Sequence, residues 1–511
     1  MPRYVLVASL ALTSAACVVG PDYHRPTAPT PSRYKEAPTG QAPADAQWKT
    51  AQPKDEADRG RWWEVFGDPA LNALEEQVTV SNQTIAQAEA QFRVARAGVR
   101  LVRADLFPTV SAAASAARSS GLTNRASAPP NGSAPAVAAY QPSAGVSWEL
   151  DVFGRVRRAV ESSVANAQAS AADLEAVRLA MHAELAIDYF TLRGLDSEMR
   201  LLDSTVTAYE AALKITTNRY QQGVVSGVDV GQATTLLETT RAQAIDLRLA
   251  RAQFEHAIAT LVGKPPTDFA LAVEPLAVAP PPVPLALPSE LLERRPDLAF
   301  AERRVAAANA GIGVAKAAYF PSLALSASGG FQSSALSGLF SLPNRFWSLG
   351  ATLAETLFAG GRRRAASEQA LAAYDATVAA YRESVLAAFQ DVEDGLAAQR
   401  ILAEEAEQQA KAVAAADHLL ALANNRYRAG ITTYLEVVTA QSAALANERV
   451  AVELLTRRMT ASVNLLKALG GGWREADLPS RDAVLARVPS PATAATAPPG
   501  RQAAPDAARV P

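Results

Sequence analysis

The spacing of apolar residues along this chain switches between a helical period and a period of two, and the whole cycle occurs twice. The helical stretches are long. Val156 to Gln222 and Arg362 to Arg428 each run without a proline and with one interior glycine, Gly194 and Gly395. At ~1.5 Å per residue each would reach roughly 100 Å. A helix of that length needs lateral partners. Seams for them are present: Val160, Val164, Ala167, Ala171 and Leu174 advance by alternating fours and threes, as do Val378, Tyr381, Val385, Ala388 and Val392. This is the 3.5-residue repeat of packed helices, and its alanines permit close approach. A soluble coiled coil would carry the same seams.

Upstream of each long run the period falls to two. Ala144, Val146, Trp148, Leu150 and Val152 alternate with Ser143, Gly145, Ser147, Glu149 and Asp151. Trp347, Leu349, Ala351 and Leu353 alternate with Ser348, Gly350 and Thr352. One apolar and one small or polar face suits a half-buried strand of a soluble sheet, or a strand between lipid and a watery lumen. Ser119–Pro135 and Ser333–Asn344 have the Ser, Gly, Asn and Pro content of hairpin loops. A shorter helix is expected before each hairpin. The first runs from Asp68-Pro69, an N-cap followed by proline, to Phe107-Pro108; the second runs from Pro296-Asp297 to Phe320-Pro321.

Four landmarks recur in the same order. Asn218-Arg219-Tyr220-Gln221-Gln222-Gly223 returns at a constant offset as Asn425-Arg426-Tyr427-Arg428-Ala429-Gly430. Asp229-Val230 returns as Glu436-Val437, Gly154-Arg155 as Gly361-Arg362, and Leu106-Phe107-Pro108-Thr109 as Tyr319-Phe320-Pro321-Ser322. The chain reads as a tandem duplication. The expected organisation is 1–16 export signal, 17–60 extended strap, 61–268 first repeat, 269–295 Pro-rich connector, 296–475 second repeat and 476–511 disordered tail. Gly223 and Gly430 are the expected turn glycines between each long helix and the next.

Composition narrows the function classes. Of 511 residues 49% are hydrophobic and 20% charged, with a formal net charge of -2, which gives no reason to expect a nucleic-acid partner. Past the N-terminus no apolar run is long enough for a spanning helix, so any membrane crossing has to be made by strands. Arg3, an apolar stretch and Ser14-Ala15-Ala16-Cys17 have the shape of a lipoprotein signal in which Cys17, the only cysteine, is acylated. An ordinary signal peptide with an incidental cysteine is the plainer alternative. His24, His182, His256 and His418 are scattered, with no metal-ligand spacing and no adjacent nucleophile. Gly263-Lys264 runs into Pro265-Pro266, and Gly311-Ile312-Gly313 lacks a third glycine, so neither is a phosphate loop. Arg155, Arg157, Arg158 and Arg362, Arg363, Arg364 open helices against the dipole; they read as solvated surface, or as contacts to phospholipid headgroups. No enzyme, metal or cofactor is expected.

Cys17-Val18-Val19-Gly20-Pro21-Asp22-Tyr23, Arg61-Trp62-Trp63-Glu64-Val65-Phe66, Glu293-Arg294-Arg295-Pro296-Asp297 and the paired Asn-Arg-Tyr-x-x-Gly turns resemble signatures of the TolC-like outer membrane factors. Within that family the likeness is to the NodT-like lipoprotein branch. The resemblance implies a mainly α fold with membrane β: a homotrimer forming a twelve-stranded outer-membrane β-barrel, four strands per chain, continued by a long periplasmic α-helical barrel. It implies Cys17 carrying N-palmitoyl and S-diacylglycerol groups in outer-membrane lipid. It implies passive conduction of drugs or small amphiphiles, received from a periplasmic adaptor and an inner-membrane resistance-nodulation-division pump. A type I protein-secretion duct and a non-conducting lipid-anchored scaffold are the alternatives. By motif, Tyr427 takes the place of a gate-bonding tyrosine, with Tyr220 its first-repeat counterpart. Leu435 takes that of a constricting leucine and Glu436 that of a gate acid, with Asp229 its counterpart. Thr432 and Thr439 depart from the family pattern, and both acids would also suit a solvated helix start.

The anchor is directly testable. Cys17→Ala should abolish incorporation of labelled palmitate while leaving the strands to hold the protein in the membrane. Undiminished labelling, or native protein found with the inner membrane, would count against acylation there.

Overall fold

The computed structural model describes residues 18–31, 33–36, 61–119, 136–281 and 293–486. The export signal, Cys17, the hairpin tip at 120–135 and the tail beyond 486 lie outside the described residues. So do the 37–60 part of the strap and the 282–292 part of the connector. After a 3-10 turn at Trp62–Phe66, the first repeat comprises α1 (Pro69–Ser81), α2 (Gln83–Ala104), β1 (Thr109–Ser119), β2 (Val137–Leu150), α3 (Arg155–Gln221) and α4 (Gly227–Leu261). The second repeat comprises α5 (Pro296–Ala317), β3 (Ser322–Phe331), β4 (Arg345–Ala354), α6 (Arg362–Arg428) and α7 (Tyr434–Ala468). Three pairs of helices match in length: 22 residues for α2 and α5, 67 for α3 and α6, 35 for α4 and α7.

The expected first helix is two. Asp68 caps α1, its carboxylate accepting from the Ala70 and Leu71 N–H groups. Asn82 then adopts extended backbone, accepts from the Thr84 and Ile85 N–H groups, and donates to the Leu261 carbonyl at 2.8 Å. A side chain that caps one helix while tying off another outcompetes helix continuation at that residue. Three boundaries also differ from the sequence reading. α2 and α5 stop at Ala104 and Ala317, short of the prolines, and Val152 lies past the end of β2.

The four strands form one antiparallel sheet in the order β1-β2-β3-β4. Ser147, Ser326 and Gly350 lie in register on one face, Trp148, Leu325 and Ala351 on the other. Across the polar face Ser328 and Ser348 share a 2.8 Å hydroxyl hydrogen bond. The apolar side chains of β4 are bare: Trp347, Leu349 and Leu353 are 72%, 75% and 69% exposed. A soluble sheet would cover such a face.

Below the sheet the long helices pack as their seams foretell, with Val160, Val164, Ala167, Ala171, Leu174, Tyr381, Val385, Ala388 and Val392 all buried. The interior glycines mark close approach. A Cβ on Gly194 would lie 2.1 Å from the Thr456 hydroxyl, and one on Gly395 3.0 Å from Leu465. Mid-body, Trp63, Phe66, Leu71, Tyr189, Phe190 and Met459 form the largest core cluster. Trp63 stacks on His182, whose Nδ1 lies 2.6 Å from the buried Glu75 carboxyl. Burial pushes that carboxyl up and the imidazole down, so it favours the uncharged form of each. The described start of the connector is pinned: buried Asp196 accepts from Arg251 at 2.6 Å, from Arg193 and from the Glu274 N–H.

Two expectations are corrected. The tail is not wholly disordered, because Arg481–Leu485 forms a short helix with Val484 buried among Val99, Val156 and Val160. Arg158 is not solvated surface: it is 4% exposed and donates to the Val19 and Gly20 carbonyls and to Asp22 and Glu161. It fastens the strap, whose Val19 N–H donates to the Phe153 carbonyl beside the end of β2. The strap then runs down the body. Asn309 donates to the Pro21 carbonyl, Tyr23 donates to Glu302, and the Lys35 and Glu36 N–H groups donate to Glu393. Gly20 has φ +109, and a Cβ there would meet the Gly313 Cα at 2.5 Å. Both strain and collision select glycine.

Gly20→Ala should therefore lift the strap off α5 at a cost of about 1–3 kcal/mol. Amide exchange at residues 19–23 should accelerate roughly tenfold or more while exchange in the α3 core is unchanged. Equal protection in both proteins would show that the close approach is not limiting.

Candidate functional site

Each long helix ends in the same device. The Gly223 and Val224 N–H groups donate to the Tyr220 and Arg219 carbonyls, and those of Gly430 and Ile431 donate to the Tyr427 and Arg426 carbonyls. This is the paired-bond helix ending that requires a left-handed residue. Gly223 at φ +75 and Gly430 at φ +72 supply it, so both turn glycines stand where the sequence placed them. The chain then reverses into α4 and α7, and the two turns lie side by side at the end farthest along the helices from the sheet.

The two tyrosines differ in surroundings. Tyr427 is 7% exposed and its ring lies 5.3 Å from that of Tyr434, itself 3% exposed. Around them close Ala233, Ala423, Val437 and Ala440. Tyr220 is 51% exposed, because the position equivalent to Tyr434 in its repeat is Gly227. Arg219, from the first repeat, reaches across the turns. Its guanidinium sits 4.6 Å from the Tyr427 ring centroid and donates to the Tyr427 carbonyl at 3.1 Å. Burial, with the neighbouring Tyr427 and Asp229 charges adding to it and a Thr216 hydrogen bond opposing it, pushes the Tyr434 hydroxyl up to about 12.

The acids also differ. Asp229 accepts from the Ser226 N–H at 3.0 Å and from its hydroxyl, and Ser226 in turn starts α4. Glu436 stands exposed in the first turn of α7, with Arg426 at 4.0 Å. Leu435 beside it is 55% exposed, while the Thr439 hydroxyl donates back to the Leu435 carbonyl. The protomer thus brings Tyr427, Tyr434, Arg219 and Asp229 together and leaves Tyr220, Leu435 and Glu436 facing outward. Sequence reasoning missed Arg219 and Tyr434. The signal was available in the repeat: Arg219 is the residue before a matched tyrosine, and Tyr434 breaks the match with Gly227.

Among the described residues no group of side chains could hold a metal ion, and no helix is long and apolar enough to cross a membrane. The model of the outer membrane efflux proteins matches residues 74–264 and 287–471, one stretch on each repeat. The chain belongs to the outer membrane efflux protein family. It is 34% identical over 472 residues to the probable efflux pump outer membrane protein TtgC of Pseudomonas putida, covering 91% of this chain and 96% of that protein. Among solved structures it superposes on the outer-membrane channel OprN with a TM-score of 0.79 and 32% identity, covering 89% of this chain and 100% of the other. The open-state MtrE outer membrane channel of Neisseria gonorrhoeae matches with a TM-score of 0.77 and 28% identity, covering 90% of this chain and 99% of MtrE. As in these family members, the duplicated α/β plan places a small sheet at one end of long helices.

Tyr434→Ala should empty the pocket over Tyr427 and cost about 3 kcal/mol in local stability. Amide exchange at 420–440 should speed up, with the matching first-repeat segment 213–233 less affected. Equal changes in both segments would mean that Tyr434 supports the tip generally and not Tyr427 in particular.

Proposed function

We propose that this protein is the outer-membrane exit duct of a tripartite efflux system, built from three copies of the chain. The observation that carries this is one-sided burial. Helices α3 and α6 have equal length and equivalent positions, yet α3 has more than twice as many buried positions as α6. Helix α5 is buried along most of its length, whereas its counterpart α2 buries only Ile85, Ala88 and Val99. In the sheet, β1 and β4 each have one strand neighbour. The under-buried elements are the two lateral edges of the protomer, α2 and β1 on one side and α6 and β4 on the other. Four strands are too few for a barrel, whose small membrane forms have about eight. Three copies give twelve strands and a continuous wall of helices beneath them.

In that assembly the bare β4 side chains face lipid and the serine face lines a watery lumen. The strap fixes Val18 beside the Gly154 turn, so acyl chains on Cys17 would enter the membrane at the border between strands and helices. The turns lie at the opposite end, in the periplasm, where an adaptor and a resistance-nodulation-division pump would deliver drugs or other small amphiphiles. There Tyr427, Leu435, Glu436, Asp229 and Tyr220 would form the gate, with Arg219 and Tyr434 bracing Tyr427. Energy comes from the pump; the duct conducts. A non-conducting scaffold has no use for a bare amphipathic sheet.

Purified protein in a planar bilayer should conduct, favouring cations. Glu436→Gln with Asp229→Asn should lower that preference, more strongly at low salt, where exposed charges are least screened. In cells that express the pump and lack a substitute duct, gene deletion should raise dye accumulation. A silent bilayer together with unchanged accumulation would sink the proposal.

A further inference from the structure

The internal duplication specifies how the barrel closes between chains. Within the protomer the β1–β2 hairpin pairs Thr109 with Ser147, and the β3–β4 hairpin pairs Ser322 with Ala354. Superposing one hairpin on the other by the Phe-Pro landmark before it and the Gly-Arg landmark after it carries Thr109 onto Ser322 and Ser147 onto Ala354. The first strands and the second strands are therefore related by two different offsets in numbering. The second of these, which takes Ser147 to Ala354, continues without a break through Gly154 and Gly361 into the long helices. The junction between repeats, β2 with β3, pairs Leu150 with Leu323, Trp148 with Leu325 and Ser143 with Gly330. The two free edges, β4 and β1, are the images of β2 and β3 under those offsets.

We infer that β4 of one protomer pairs antiparallel with β1 of the next in the register that sets Ala354 opposite Ala113, Thr352 opposite Ser115 and Ser348 opposite Ser119. The inference rests on the trimeric reading above and adds to it the seam by which one chain recognises another. A second observation, independent of the superposition, agrees. Ser111, Ala113, Ser115 and Ser119 carry the small polar face of β1, and Ser348, Gly350, Thr352 and Ala354 that of β4. Slipping the seam by one residue would turn serines toward lipid and leucines toward the lumen. The proposed register keeps Leu353 with Ala114 and Leu349 with Arg118 on the lipid side. It also sets Thr352 against Ser115 much as Ser348 meets Ser328 inside the protomer. A two-residue slip preserves the faces, so the face pattern alone leaves that choice open. The duplication decides it.

Paired cysteines test this. Ala354→Cys with Ala113→Cys, and separately Thr352→Cys with Ser115→Cys, would put thiols directly opposite across the seam. Within one chain the same positions are three strand spacings apart, roughly 14 Å, beyond disulfide reach. Any bond is therefore between chains. Mild copper–phenanthroline oxidation of membranes should give a dithiothreitol-reversible covalent trimer with either pair on a denaturing gel. The pair Ala354→Cys with Ser111→Cys, and the pair Ala354→Cys with Ser115→Cys, each displaced by two residues, should give at least fivefold less. The unsubstituted chain should give none. Preferential cross-linking of a displaced pair overturns the register while leaving the trimer standing. Absence of cross-links from both matched pairs, in a detergent sample that light scattering shows to be trimeric, overturns it too. A monomer by light scattering would instead remove the trimeric reading on which it rests.

Discussion

A strand in hydrocarbon must have every backbone N–H and C=O paired, since no water is there to take them. That constraint governs the architecture more than any single contact. Four strands satisfy each other internally and leave β1 and β4 each with an open side. The cost of those open sides can be removed only by another sheet, and the nearest sheet with complementary faces is another copy. The helices inherit the same arrangement. Because each long helix grows directly out of a strand through a left-handed glycine, Gly154 or Gly361, the ring set by the strands dictates the ring of helices.

Duplication makes such a ring economical in sequence, and divergence marks where the ring is asymmetric. Equivalent elements keep their lengths of 22, 67 and 35 residues, so spacing along the axis is preserved. What changes is chemistry at particular sites. Asp151 accepts from the Val156 and Arg157 N–H groups to cap α3, while the equivalent residue ahead of α6 is Phe358, 88% exposed. The strap follows the same logic. It lies on α3, α5 and α6 and crosses from one repeat to the other, through Arg158 on one side and Glu393 on the other. Placed there it adds a bridge between repeats already joined by the β2–β3 pairing and by α3 packed on α5.

Much of this was legible before any coordinates, for identifiable reasons. Periodicity works when burial is one-sided, and the seams of α3 and α6 and the alternation in β2 and β4 report real faces. Glycines that must adopt positive φ, such as Gly223 and Gly430, announce themselves through their repeat. Features that depend on a partner distant in sequence were not legible. Asn82 reads as a tolerable helix residue until Leu261 arrives to accept its amide proton. Arg158 reads as surface until the strap lies over it. Gly20 belongs to the strap and Gly313 to α5 of the second repeat; positive φ and the approach to Gly313 account for the first, and the Arg158 side chain lying over the helix accounts for the second. At the tip, Arg219 acts on the other repeat, so only its place in the repeated motif marked it and nothing beside it in the chain named its partner.

The two repeats have divided the work at the turns. Asp229 is committed to the Ser226 cap, so its charge is held in place as part of the start of α4. Glu436 has a single long contact to Arg426 and keeps a solvated carboxylate. The first repeat therefore supplies the fixed side of the pair and the second the responsive side. Joining them are the Arg219 guanidinium over the Tyr427 ring, its bond to the Tyr427 carbonyl, and the apolar contact of Ala233 and Leu213 with the cluster around Tyr427 and Tyr434. The two Arg219 contacts alone are worth about 1–3 kcal/mol combined. In the proposed gate a latch of a few kcal/mol would leave the separated arrangement a minor population rather than a forbidden one. Any partner that binds the separated arrangement better by a few kcal/mol would then be enough to make it the major one. In the gate proposed above, a tighter latch would need a stronger partner to open it, and a looser one would leave the duct open when no partner is present.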